Sequence, residues 1–287
     1  MINFLRISNR IELGDYLHSN GVIDNIASSD IIGVCVIPSD FLSDRMARFI
    51  SMVAMDPRNK EEGNYTEEPG ISWYYEGRGN YRCNFLIQRQ RLPLDNNSDG
   101  VIDGDAIWGR VPILDGSNPY LTIDNPQDPG TRYFEGTFRK IPSPYALDGT
   151  FNPNFHYRGS EEDEWALTDY RGDLNTIDII HLRKPKEKHC PAFYCCNKFS
   201  PGGYRTHGWY LPAIGELAFI PPRLEIIKNK MREAINAGSP GVALSPSCYW
   251  SSSEYSGDFA WCVDLNVGGL DYAYKDFSYY VRAFLTV

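Results

Sequence analysis

The chain has no run of about twenty apolar residues, so no part of it is expected to form a membrane-spanning helix. It also lacks a G-x-S-x-G, an H-E-x-x-H, a P-loop and a G-x-G-x-x-G ahead of a helix. Its five histidines, His18, His156, His181, His189 and His207, are scattered. The usual linear signatures of hydrolases and nucleotide-binding enzymes are therefore missing, although a site assembled in space stays open. Positive charge is short: 28 Lys and Arg face 37 Asp and Glu, for a net charge of −9. Such a chain repels phosphate, so neither nucleic acid nor an anionic membrane is an expected partner. The densest basic run, Arg183-Lys184-Pro185-Lys186, reads as a solvated loop or helix start. Met1-Ile2-Asn3-Phe4-Leu5-Arg6 has no basic region leading into an apolar run, so no secretory signal is expected. The seven cysteines are odd in number and irregularly spaced, which suits reduced thiols and cytoplasmic synthesis better than a disulfide framework.

Apolar residues and aromatics are plentiful. Hydrophobic residues are 42% of 287, enough for one large or two smaller folded domains. Aromatics are 14%, with 19 Tyr and 6 Trp, and suit either a binding surface or an aromatic-rich β core.

Period and punctuation give the elements. Ile31 to Ile37 is a short apolar run fit for a buried strand, and Ala47 to Val53 is a second. From 56 to 160, Pro, Gly, Asn and Asp recur every few residues, which reads as short strands, turns and loops. The run Glu161-Glu162-Asp163-Glu164 reads as solvated loop. Between Lys188 and Phe199, Ala192, Phe193, Cys195, Cys196 and Phe199 mark a helix, with Pro191 in its first turn and Gly202-Gly203 at its exit. A second helix opens at Pro221-Pro222, repeats through Leu224, Ile227, Met231 and Ile235, and ends at Gly238. Further on, Trp261, Val263 and Leu265 alternate with Cys262, Asp264 and Asn266, which predicts a strand with one face in and one face out. Val281 to Val287 reads as a terminal strand tied into a sheet.

Two stretches invite a metal. Asp95, Asn97, Asp99, the Val101 carbonyl and Asp103, with Gly100 at the sharp turn, match the oxygen ligands of a calcium loop. Position 12 is Ala106 where an EF-hand needs Glu, and an Asp/Asn/Gly-rich turn uses the same residues for backbone reasons. His189, Cys190, Cys195 and Cys196 lack zinc-type C-x-x-C spacing and fit a buried helix face better.

At Gly208-Trp209-Tyr210-Leu211-Pro212-Ala213-Ile214-Gly215-Glu216-Leu217, Tyr249-Trp250-Ser251-Ser252-Ser253-Glu254, Ala260-Trp261 and Tyr280-Val281-Arg282-Ala283 the chain resembles a C-type-lectin-like, formylglycine-generating-enzyme-like domain. Within that group it is most similar to the variable proteins of diversity-generating retroelements of phages and gut bacteria. Asp169 to Thr176 and Ile32-Gly33-Val34 fit the same domain type. The likeness covers 165–287, extends to 10–55, and is absent over 56–160. It implies an α+β, C-type-lectin-like fold with two helices and an antiparallel sheet, plus a loop- and strand-rich insertion. Residues 1–55 would be its N-terminal part, 56–160 the inserted region, and 161–287 the core, with a variable region at about 255–280.

In such systems mutagenic reverse transcription alters adenines near the gene's 3′ end, often in AAC codons. From Tyr255 to Tyr280 only Trp261 and Lys275 lie outside the residues reachable that way, and both read as scaffold. The resemblance therefore implies a non-catalytic ligand-binding face. It would comprise Tyr255, Ser256, Asp258, Phe259, Cys262 and Asp264, then Asn266, Val267, Gly269 and Asp271, then Tyr272, Ala273, Tyr274, Asp276, Phe277 and Tyr279. Tyr272, Ala273, Tyr274, Asp276, Phe277 and Tyr279 show no burial period in the sequence. The partner would be a host-surface protein or glycan, bound by a homo-oligomer on a virion (phage tail) or cell surface. The Glu-Pro-Asn and Gln-Pro-Asp triplets of calcium-dependent lectins are missing, as is a match to the paired cysteines of formylglycine-generating enzymes. Two alternatives stay open: an invariant structural adhesin or virion component, and a diverged enzyme of the formylglycine-generating type using Cys190 or Cys195.

Overall fold

The computed structural model describes residues 5–6, 10–39, 41, 46–55, 70–74, 92–94, 104–106, 124–125, 128–132, 156–157, 170–183, 185–201, 208–255 and 259–287. Its class is α+β, with mainly antiparallel sheets and short helices. The N-terminal strands are β1 (Leu5–Arg6), β2 (Tyr16–His18), β3 (Val22–Asp24), β4 (Ile31–Ile37) and β5 (Arg48–Ser51). Short strands follow: β6 (Leu92–Leu94) pairs with β7 (Gly104–Ala106), β8 (Asp124–Asn125) with β9 (Asp128–Arg132), and β10 is His156–Tyr157. The C-terminal strands are β11 (Cys248–Glu254), β12 (Phe259–Asp264), β13 (Gly269–Tyr274) and β14 (Phe284–Thr286). A six-stranded sheet runs β1-β3-β2-β4-β5-β14, and a four-stranded sheet runs β10-β13-β12-β11. The expected terminal strand is present, and it closes the first sheet against β5 through Leu285 opposite Phe49.

All seven residues of β4 are buried, as the unbroken apolar run predicts for a strand covered on both faces. Val34, Val36 and Ile50 join one apolar core with Trp261, Val263 and Leu270; Cys35 and Phe49 join a second with Trp250, Cys262 and Ala273.

Helix α1 is Gly172–Ile177 and runs into a π-helical turn, α2 is Pro191–Lys198, α3 is Ile214–Leu217, and α4 is Leu224–Asn236. The sequence predicts α2 and α4 and misses the other two. In α4 the buried residues are Ile227, Met231 and Ala234, one stripe at helical spacing. Gly238 takes φ +96°, and Ser239 N–H donates to the Ala234 carbonyl at 3.0 Å while Gly238 N–H donates to Ile235 at 2.9 Å. That is a Schellman stop, which only a residue at ease with positive φ makes cheaply. Helices α1 and α3 rest on tertiary polar contacts that no period reveals. Asn175 of α1 donates to the Ser252 hydroxyl at 3.1 Å, and the N–H of Ile214 in α3 donates to the Ser253 hydroxyl at 3.0 Å.

Glu216 ties these pieces together from full burial. One oxygen accepts from Arg48 Nε at 2.9 Å and Tyr210 OH at 2.7 Å; the other accepts from the Ala213 N–H at 2.8 Å and the Gly172 N–H at 3.3 Å. Burial pushes this carboxyl up to about 7, while Arg48 and the Ala213 N–H pull it down. A Cβ on Gly172 would sit 2.6 Å from both the Leu211 carbonyl oxygen and the Ala213 nitrogen, so α1 can dock here only with glycine. Above about pH 8, where the carboxyl is ionised, replacing Glu216 with Gln removes a negative charge hydrogen-bonded to the buried Arg48 guanidinium. It is expected to lower unfolding free energy by about 3–5 kcal/mol, read by urea denaturation.

His18, 6% exposed, lies between Asp30 (Nδ1 to Oδ1, 2.8 Å) and Asp24 (Nε2 to Oδ1, 3.0 Å). Burial opposes the charged ring, but the hydrogen bonds to Asp30 and Asp24 outweigh it and raise the pKa above 6.5. The folded state therefore holds this proton more tightly than the unfolded chain. The stabilisation is complete below about pH 6.5 and fades as pH rises through the folded pKa. NMR titration of His18 should show the raised pKa, and the associated loss of stability with rising pH should vanish in His18→Gln.

Candidate functional site

Strands β12 and β13 pair Phe259 with Tyr274, Trp261 with Tyr272 and Val263 with Leu270, all on one face. Val263, Trp261 and Leu270 are core, at 0%, 0% and 1% exposure. Toward the other end of the same face Phe259 is half-buried, and Tyr272 and Tyr274 are 37% and 40% exposed. With Phe277 at 47%, they are the exposed aromatic side chains among the described residues.

The rings form a continuous set. Tyr255 stacks on Tyr272 with centroids 4.0 Å apart and 13° between planes, and meets the buried Trp261 edge-on at 5.2 Å. Phe259 lies 5.5 Å from Tyr272 and 4.3 Å from Tyr274; Tyr274 leads to Phe277 at 5.7 Å, and Phe277 to Tyr279 at 6.2 Å. Tyr279 returns to the core against Trp250 at 4.6 Å. Rings stacked in this way stay rigid, so a partner would meet a surface that loses little side-chain freedom on binding.

A buried ion pair fixes the segment that carries Phe277. Lys275 Nζ donates to Glu254 Oε1 at 2.7 Å, with both side chains at 0% exposure, and sits 4.7 Å over the Trp73 ring. Trp73 in turn donates to the Ser251 carbonyl at 2.8 Å, and the Lys275 carbonyl accepts from the Tyr74 N–H at 3.0 Å. Trp261 and Lys275, the two residues set apart as scaffold by sequence, are both fully buried. Nothing in the sequence marks Glu254 as the partner of Lys275.

The residues expected on the face divide in two. Tyr255, Phe259, Tyr272, Tyr274, Asp276 and Phe277 gather at the Tyr274 end, whereas Tyr279 lies on the Cys262 side, its ring 4.6 Å from that of Trp250. Asp264, Asn266, Val267 and Gly269 lie at the turn joining β12 to β13, about 17 Å away at roughly 3.3 Å per strand residue. Asn266 and Val267 are exposed there, whereas Gly269 is buried. The outward position expected for Cys262 and for Ala273 is corrected, since they are 1% and 6% exposed. Both belong to the same apolar core as Trp73, Phe193 and Trp250, so the strand has no wholly open side at their level. Tyr272, Ala273 and Tyr274 also follow a plain period of two, exposed, buried, exposed, where the sequence reading found none. Asp264 and Asp271 sit on the side of Cys262, away from the exposed rings, and Asp271 is half-buried. Ser256 and Asp258 lie outside the described residues, as do Asp95, Asn97, Asp99, Val101 and Asp103 of the expected calcium loop. The described residues flanking that loop are strands β6 and β7, where an EF-hand has helices. Among the described residues no group of three or more His, Cys, Asp or Glu is placed to hold a metal ion, and no helix is long and apolar enough to cross a membrane.

Two features escaped the sequence reading. A cavity of about 260 Å³ is lined by Arg10, Glu12, Leu13, Pro38, Phe41 and Arg223. Separately, Ser28 Oγ lies 3.1 Å from His18 Nδ1, and His18 Nε2 lies 3.0 Å from Asp24, which looks like a nucleophile–base–acid row. Asp30 disarms it: it accepts from both Ser28 and His18 Nδ1. A ring that donates to carboxylates through both nitrogens has no lone pair with which to take a proton from Ser28.

No protein-family model matches the chain, and no curated protein matches it. Among solved structures it is similar to a fimbrial protein from Bacteroides ovatus ATCC 8483, with 14% identity and a TM-score of 0.48. The alignment covers 96% of this chain and 49% of that one, so the chain spans about half the length of that protein.

Lys275→Met is expected to destabilise the fold by about 3–5 kcal/mol, because it removes one partner of a buried ion pair and leaves the other in the core. Lys275→Met with Glu254→Leu should recover most of that loss. Denaturation of both variants beside the parent decides it, and equal losses in the two would contradict the assignment.

Proposed function

We propose that the chain is a non-catalytic ligand-binding protein, and that the aromatic end of the β12–β13 hairpin is its binding face. The finer reading is a C-type-lectin-like variable protein of a diversity-generating retroelement, attaching a phage or cell surface to a host-surface protein or glycan. The observation that carries it is the gathering of Tyr272, Tyr274 and Phe277 at one place, backed by buried anchors. Exposed aromatics in a contiguous patch are the usual energetic centre of a protein–protein or protein–ligand contact. Their partial exposure lets a substitution change the contact while the core stays intact, which suits a face that varies. Trp261 and Lys275 support the same reading, as the two residues outside the AAC-reachable set are wholly buried. A weak single face gains from display in several copies, so a homo-oligomer belongs to this reading. The locked His18, Asp24, Asp30 and Ser28 cluster gives no support to an enzyme at that position.

Two measurements test the proposal. Sequencing the gene from many isolates should find amino-acid differences piled up between Tyr255 and Tyr279, sparing Trp261 and Lys275; even scatter along the gene would reject diversification. In a protein and glycan array, the parent should bind a subset of ligands that Tyr272→Ala, Tyr274→Ala and Phe277→Ala each weaken. A loss of about 2 kcal/mol, roughly 30-fold in Kd, is expected for at least one of the three, with melting temperature nearly unchanged. Full retention of binding in all three would place the contact elsewhere.

A further inference from the structure

On the opposite side of the sheet from the exposed rings, toward the β12–β13 turn, two thiols meet across neighbouring strands. The β11–β12 register sets Cys248 opposite Asp264 and Trp250 opposite Cys262. Cys248 and Cys262 are therefore diagonal neighbours on one side of the sheet. Their thiols are hydrogen-bonded to each other, both are free, and the Tyr279 hydroxyl bonds to Cys248. The two are unequal: Cys248 is half-buried and reachable from solvent, while Cys262 is 1% exposed. An accessible thiol in contact with a buried one is the arrangement of an attacking and a resolving cysteine.

We infer that Cys248 and Cys262 are a dithiol site that closes to an intramolecular disulfide by exchange with a small cationic disulfide. The hydrogen bonds from Cys262 and Tyr279 stabilise the Cys248 thiolate and lower its pKa, against burial and the charges of Asp264 and Asp271. The contact with Cys248, together with burial, holds Cys262 in the thiol form until the exchange begins. The carboxylates of Asp264 and Asp271 beside the pair repel anionic disulfides and favour cationic ones such as cystamine. In the first step the Cys248 thiolate attacks one sulfur of cystamine, the S–S bond breaks, and one cysteamine leaves carrying the proton lost by Cys248. In the second, Cys262 gives up its proton and attacks Cys248 Sγ, expelling the second cysteamine, which takes that proton. One cystamine is reduced to two cysteamines and the protein loses two hydrogens. The bond ties β11 to β12 toward the Asp264 end of the pair, on the side of the sheet away from the exposed rings.

The test treats the full chain with cystamine, blocks remaining thiols by alkylation and maps peptides without reduction. The expected product is a peptide joining Cys248 to Cys262, with Cys35 and Cys196 modified only after unfolding. In Cys262→Ser, cysteamine should stay attached to Cys248, and in Cys248→Ser, Cys262 should stay unmodified. Cys262→Ala serves in place of Cys262→Ser if the latter does not fold by circular dichroism. A parent protein that keeps a stable cysteamine on Cys248, or leaves both thiols free while folded, overturns the inference.

Discussion

The exposed face depends on a charge that never reaches solvent. Lys275 and Glu254 are an ion pair at zero exposure, made in a segment only two residues from Phe277. A pair so buried is not a large net source of stability, since desolvation offsets much of the attraction. What it gives is position. An ammonium in the core tolerates little displacement from its carboxylate, and the Trp73 ring covers it from the other side. The chain on either side of Lys275 is held as well, and Tyr274 and Phe277 are presented at a fixed place.

The second constraint is the covering of both faces of the β11–β12–β13 sheet. Tyr249, Trp261 and Val263 belong to one core, and Trp250, Ala260 and Cys262 to the other. A strand in that position cannot be divided into an inner and an outer side along its length. The division runs along the strand. Val263 and Leu270 are sealed, and the same face opens to solvent by Tyr274. The aromatic face is thus the edge of a core that opens to solvent. Its rings pack on one another as core residues do, and the outermost are partly exposed.

The same logic explains the polar residues buried elsewhere. Arg282 donates to the carbonyls of Ser51 and Met52 at 3.1 and 3.0 Å and to that of Val242 at 2.8 Å, joining β5 to the loop after α4. Glu216 and Asn175 do the same for α1, α3 and the two sheets. Arg282 and Glu216 satisfy backbone groups that no regular ladder reaches, and leaving such groups bare inside would be expensive. The recognisable strings around Glu216, Ser251 to Ser253 and Arg282 are these joints.

Read alone, the sequence determined the parts whose cause is local. The apolar run of β4, the stripe of Ile227 and Met231, the Gly238 stop and the terminal strand all follow from period and backbone preference, which are properties of neighbouring residues. The aromatic content of 255–280 and the apartness of Trp261 and Lys275 were legible too. Tertiary structure alone decided which of those aromatics face solvent, because burial depends on what lies across the sheet. Cys262 and Ala273 went inside because they join an apolar core with residues distant in sequence, Trp73 and Phe193 among them. It likewise chose Glu254 for Lys275, set Cys248 beside Cys262, and separated Val267 from Tyr274 by the length of a hairpin. Each of these is a contact between residues far apart in the chain or a register between strands, and no local pattern encodes either.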